Sequence, residues 1–125
     1  MILLDSNVVI YSTEASSEFD ELRKYLLTQP HCVSLVTYVE VLGFHKLNDL
    51  DKEKLSEFFA SVPVLSLTDE IAAQAVKLKQ TRKMKLGDSI IAATALINEV
   101  PLVTNNTKDF KWIDSLDLID PFDAQ

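Results

Sequence analysis

The sequence predicts an α/β protein with a central, mostly parallel five-stranded sheet and helices on both faces. Three observations carry this expectation. Short apolar segments alternate with longer segments of helical periodicity, the strand segments contain almost no charge, and 125 residues is a common length for one core. Hydrophobic residues make up 47% of the chain and charged residues 25%, with only two glycines and four prolines, which excludes a disordered or low-complexity chain.

The expected strands are Ile2 to Leu4, Val33 to Val36, Val62 to Leu67, Val100 to Val103 and Leu116 to Ile119. Between them Phe19, Leu22 and Leu26 keep helical spacing, then Leu55, Phe58 and Phe59, then Ile71, Ala75 and Leu78; each set marks the core side of an amphipathic helix. The segment Asp88 to Asn98, DSIIAATALIN, is apolar nearly all round and reads as a helix packed deep against the sheet, with a polar first turn. No repeat or linker divides residues 1–125, so one domain is expected.

No apolar run reaches the roughly 18 residues of a membrane span, and the first residues lack the basic flank and cleavage site of a signal peptide, so a cytoplasmic protein with no membrane contact is expected. The single Cys32 cannot form an intrachain disulfide and reads as a buried thiol beside His31, without zinc-site spacing. His45 and Trp112 read as packing residues.

A net charge of −7 counts against general affinity for nucleic acid. The distribution points the other way: five of the twelve basic residues, Lys77, Lys79, Arg82, Lys83 and Lys85, lie in nine positions that contain no acid and lead to Asp88. Arg82 and Lys85 are the candidates for contact with phosphate. The same cations also suit the negative end of a helix that begins at Asp69 and Glu70.

Three acids lie where a strand or loop runs into a helix. Asp5 closes the first strand, Glu40 sits in Thr37-Tyr38-Val39-Glu40, and Asp88 follows Gly87 at the start of the buried helix. Each has a structural role open to it: Asp5 as an N-cap, Glu40 as the acid of a capping box with Thr37 at the N-cap, and Asp88 as a complement to the helix dipole. In an open α/β sheet such junctions share the carboxyl edge, where ligands bind, so the three should converge. Two carboxylates about 4 Å apart repel by about 4 kcal/mol at an effective dielectric near 20, so a cluster calls for a cation. Ligands that are all oxygen suit Mg2+ or Mn2+, which bind through a few carboxylates plus substrate phosphate; that favours a phosphodiesterase over a closed structural site.

Four stretches, ILLDSNVVIY, SLVTYVEVLGF, GDSIIAATAL and LVTNNTKDF, follow one another in this order between Ile2 and Phe110. Together they resemble the PIN-domain family, and particularly the VapC toxins of bacterial and archaeal toxin–antitoxin pairs. The resemblance implies a PIN-like three-layer fold over residues 1–125 and cleavage of single-stranded or looped RNA. It further implies that Asp5 and Asp88 bind the magnesium directly while Glu40 helps orient the water that the cation activates. Ser6, Thr104 and Asn106 are candidates for hydrogen bonds around these acids, although Ser6 and Thr104 also suit plain turn chemistry. The family's usual partners, a cognate antitoxin and a second copy in a homodimer, are carried over on the same footing.

One departure stands out. Many PIN domains place an acid two residues after the Thr of the last stretch, where this chain has Asn106. Asp109, three residues on, reaches the same side if the segment is helical, and joins the catalytic candidates on that condition. Asn106 also keeps open a binding or scaffold module with weakened activity. A receiver domain would want an acid pair after the first strand and an Asp ending the third, and a haloacid-dehalogenase-like phosphatase would want an Asp at the position of Asn7; neither is present.

Overall fold

The structure is a computed structural model that describes residues 1–123. Five strands form one sheet: β1 (Ile2–Leu4), β2 (His31–Ser34), β3 (Val64–Leu65), β4 (Leu102–Val103) and β5 (Leu118–Ile119). Their order is β3-β2-β1-β4-β5 and every pairing is parallel, so the sheet is wholly rather than mostly parallel. The chain runs outward from β1 to β3, then crosses back to β4. The gap between β1 and β4 is thus the point where strand order reverses, the usual ligand crevice of an open α/β sheet. A receiver-like order of 2-1-3-4-5 is excluded.

Six α-helices cover the sheet: α1 (Ser6–Thr13), α2 (Asp20–Leu27), α3 (Leu35–Leu42), α4 (Asp49–Ser61), α5 (Asp69–Thr81) and α6 (Leu86–Asn98). Strand alternation sorts the core into two layers. Leu3, Cys32 and Leu102 point to the side of α5 and α6, where Ile71, Ala75, Leu78 and Ile91 meet them. Ile2, Leu4, Val33 and Val103 point to the other side, against Val8 and Val9 of α1, Leu22 and Leu26 of α2, and Leu55 and Phe59 of α4. Helix α3 touches both layers, through Val36 on one and Val41 on the other, because it continues directly from the end of β2. Among the described residues no helix is long and apolar enough to cross a membrane.

Three local expectations are corrected. The second strand ends at Ser34, not Val36, because Ser34 leaves the strand in an extended conformation and its Oγ caps the new helix by accepting from Val36 N at 3.1 Å. Thr37 is therefore not an N-cap and the Thr37–Glu40 capping box does not form; Thr37 is fully buried inside α3, and Glu40 lies near that helix's end. His45 is exposed rather than packed, whereas Trp112 is half-buried against the α5–α6 layer and Cys32 is buried as expected.

Candidate active site

The carboxyl edge of the sheet collects the polar residues of the core. Asp5, one residue beyond β1, is 6% exposed, and Thr104, one residue beyond the adjacent β4, is fully buried. The backbone sets both: Asp5 N donates to Val103 O at 2.9 Å, and Thr104 N donates to Ile119 O at 3.0 Å. Their side chains then meet across the reversal point, Thr104 Oγ1 donating to Asp5 Oδ2 at 2.7 Å. The other carboxylate oxygen, Asp5 Oδ1, accepts from Ser6 N at 2.8 Å and caps α1. Asp5 therefore serves as the N-cap that the sequence suggests, and it also ties β1 to β4.

Ser6 connects this acid to the next. Its Oγ lies 2.9 Å from Glu40 Oε1 and 3.1 Å from Thr37 Oγ1. One hydroxyl carries one proton, so Ser6 donates to the carboxylate and the buried Thr37 hydroxyl donates to Ser6. Glu40 Oε2 turns toward the start of α6: a β-carbon at Gly87 would lie 2.5 Å from it. Glycine at position 87 is thus what lets the α3 carboxylate reach the first turn of α6, where Asp88 stands. Asp109 ends a single 3-10 turn, Thr107–Asp109, that folds back from β4; the segment is helical, as its candidacy required. Asn106 is exposed and its backbone N–H donates to Thr104 Oγ1 at 3.0 Å.

The electrostatics link these groups. Burial pushes the Asp5 carboxyl up from its ordinary value of 3.8; the Thr104 and Ser6 hydrogen bonds oppose this, and the charges of Glu40 and Asp109 add to it. Asp88 is pushed up to about 6, first by burial, then by Asp5 and Asp109, with Lys85 opposing and Glu40 adding. The N-terminus of α6 favours an anion, yet burial and three neighbouring acids prevail over that dipole. Glu40 and Asp109 thus bear on both Asp5 and Asp88.

Among the described residues no group of three or more His, Cys, Asp or Glu side chains is drawn together as a finished metal site. The donor chemistry fits a hard cation nonetheless. The donors are carboxylate oxygens, with Asp5 and Asp88 pushed up by burial and then by neighbouring acids, and Mg2+ or Mn2+ completes its sphere with waters and substrate phosphate rather than a full protein cage.

The basic stretch divides. Lys79 Nζ donates to Met84 O at 2.8 Å and secures the turn into α6. Arg82, Lys83 and Lys85 instead line an open cleft of about 200 Å3 together with Lys108, Asp88 and Asp109. Lys108 carried no signal in the sequence and Trp112 read only as a packing residue, because nothing local marks two segments that meet only after folding. Thr37 and Gly87 carried a signal, a Thr and a Gly each beside a candidate acid, but it read as capping.

The fold has known counterparts. A toxin–antitoxin complex from Klebsiella pneumoniae contains a chain similar to this one at 28% identity and a TM-score of 0.81, covering 97% of this chain and 98% of that one. VapBC-1 from nontypeable Haemophilus influenzae is similar at 27% identity and a TM-score of 0.78, over 98% of this chain and 99% of that one. FitAcB from Neisseria gonorrhoeae shares the fold, at 22% identity and a TM-score of 0.80, over 98% of this chain and 99% of that one. No curated protein matches the chain by sequence. The PIN domain family model matches residues 2–116, which hold strands β1 to β4 and helices α1 to α6; the chain belongs to the PIN domain family.

Proposed function

We propose that this chain is one PIN domain over residues 1–125 that acts as a cytoplasmic VapC-type toxin, an endoribonuclease hydrolysing RNA phosphodiester bonds with Mg2+ or Mn2+. The observation that carries the reading is the pair Asp5 and Asp88 at the reversal point, both raised by burial and by the charges of Glu40 and Asp109, with a basic cleft opening beside them. Asp5, Asp88 and Glu40 would hold the cation, which when bound lowers the pKa of water and offsets charge that builds on the phosphate.

The chain's own residues do the rest. Thr104 and Ser6 N fix the two oxygens of Asp5, so its lone pairs toward the site keep one direction. Ser6 Oγ occupies Glu40 Oε1 and leaves Oε2, beside Gly87, to orient the attacking water and take its proton. Water adds to phosphorus, the bond from phosphorus to the leaving ribose oxygen breaks, and that oxygen takes a proton from solvent. Arg82, Lys83, Lys85 and Lys108 supply positive charge for the flanking phosphates in a chain that is otherwise acidic. Asp109 stands in for the acid replaced by Asn106, reaching the cluster through the 3-10 turn.

The partners follow from the same reading. A second groove, of about 340 Å3, runs beside Glu40 between α1, α3 and α4, apolar at Ile10, Val41, Phe44 and Leu55 and acidic at Glu14 and Asp51. It suits a segment of a cognate antitoxin, and a homodimer is expected by kinship with the toxin–antitoxin complexes. Incubation of mixed RNA with Mg2+ or Mn2+ tests the activity. Metal-dependent cleavage that disappears in Asp88→Asn is the expected result, and parent protein that binds RNA without cutting it would leave the scaffold reading in its place.

A further inference from the structure

Arg82 and Trp112 lie thirty positions apart in sequence and meet at the rim of the basic cleft. The Arg82 guanidinium carbon sits 5.6 Å from the centre of the indole ring. Both members are held from behind. Arg82 terminates α5, its backbone N–H donating to Leu78 O at 3.2 Å. Trp112 Nε1 donates to Asp109 O at 3.1 Å, and its ring is half-buried against the α5–α6 layer. The two salt bridges found among the described residues both lie on α2, so no carboxylate neutralises Arg82. The only other arginine, Arg23, is spent on Asp20 and on the carbonyls of Glu14 and Ser16.

We propose that Arg82, laid over Trp112, is a stacking platform for one unpaired nucleobase of the RNA strand whose phosphate meets the neighbouring acids and Lys85. The inference rests on the ribonuclease reading above and adds to it a base-contacting element. Phosphate attraction alone calls only for positive charge, which Lys83, Lys85 and Lys108 already supply in the same cleft. A guanidinium backed by an indole adds what lysine lacks, a flat cationic face that takes a base by stacking whatever its sequence. At about 200 Å3 the cleft is smaller than the 300–1,000 Å3 usual for small-molecule sites, which suits a single base entering from an open strand rather than a duplex. The platform shares its turn with Asp109, so a base seated on Arg82 would fix the strand next to the acid cluster.

The test compares binding of a short 2′-O-methyl RNA oligonucleotide, which resists cleavage, with an abasic strand of equal length and charge. Trp112 is the only tryptophan of the chain, so its emission reports on this site directly. The parent should bind the base-bearing strand about tenfold more tightly than the abasic one, with a change in Trp112 emission that only the former produces. Arg82→Lys keeps the charge, so the salt slope should stay while the tenfold preference falls toward one. Trp112→Phe, read by anisotropy of a labelled strand, should reduce the preference as well; Arg82→Lys alone decides the matter if that variant folds poorly. Equal affinity of the parent for both strands overturns the platform and leaves the nuclease reading intact. Failure of both strands to bind overturns both.

Discussion

The two junctions that face each other across the site, β1 into α1 and the Lys85 turn into α6, present the same chemical group in opposite circumstances. Asp5 and Asp88 are both carboxyls pushed upward, first by burial and then by neighbouring acids: Glu40 and Asp109 for Asp5, and Asp5, Asp109 and Glu40 for Asp88. Asp5 has both oxygens satisfied, by Ser6 N and by the Thr104 hydroxyl, and through them it caps a helix and joins two strands. Asp88 is opposed by Lys85 and by the α6 N-terminus and still reaches about 6. An acid that is hydrogen-bonded into the fold contributes to stability and to chemistry together. An acid left under repulsion contributes to chemistry at some cost to stability, which is the signature of a functional site.

The largest effect that tests this contrast is on cleavage and stability measured together. Asp5→Ala and Asp88→Ala should each lower RNA cleavage by at least about a hundredfold, since each removes a proposed ligand of the cation. They should part in denaturant. Asp5→Ala loses an N-cap and leaves the buried Thr104 hydroxyl without its acceptor, a loss of about 2–4 kcal/mol, whereas Asp88→Ala should be as stable as the parent or more so in metal-free buffer. Equal destabilisation by both would break the comparison.

A smaller effect isolates the approach of Glu40 to α6. Gly87→Ala places a methyl group 2.5 Å from Glu40 Oε2, and the flexible carboxylate end must move away. Cleavage should fall about tenfold while stability holds or rises by up to about 1 kcal/mol, because alanine favours the helix. Unchanged cleavage would remove Glu40 Oε2 from the chemistry.

The smallest effect is on pH dependence. Folded Asp88 keeps its proton up to about 6, and an unfolded chain releases it near the ordinary 3.8, so the folded state binds the extra proton between those values. Its contribution to stability is complete below 3.8 and is lost as pH rises through about 6. Urea midpoints of the metal-free parent should carry this decline between pH 4 and 6, and Asp88→Asn should lack that part of it. Superimposable profiles would mean that Asp88 is not held under repulsion.

The sequence made the layer order and the acid-bearing junctions legible because strand alternation and apolar periodicity are local. Boundaries were less so. VSLV reads as a strand by composition, and only the competition between Ser34 and Thr37 for the N-cap decides where α3 begins; Ser34 wins because Val36 N is within its reach. A local pattern match made Thr37 a cap, while tertiary packing buries it and turns its hydroxyl toward Ser6. Asp109 was legible only on the condition that its segment be helical. The reasons for Gly87 and for the pairing of Arg82 with Trp112 lie in contacts between distant segments, Glu40 with α6 and the end of α5 with the turn after β4.

The central claim is that the raised acids form a cation site, and the melting temperature with and without Mn2+, for the parent and for Asp88→Asn at neutral pH, tests it most directly. At about 100 times its dissociation constant the metal should stabilise the parent by about 2.7 kcal/mol. Asp88→Asn should lose most of that gain while melting, without metal, at or above the parent's temperature. A parent indifferent to Mn2+, or a variant that gains as much as the parent, would contradict the account.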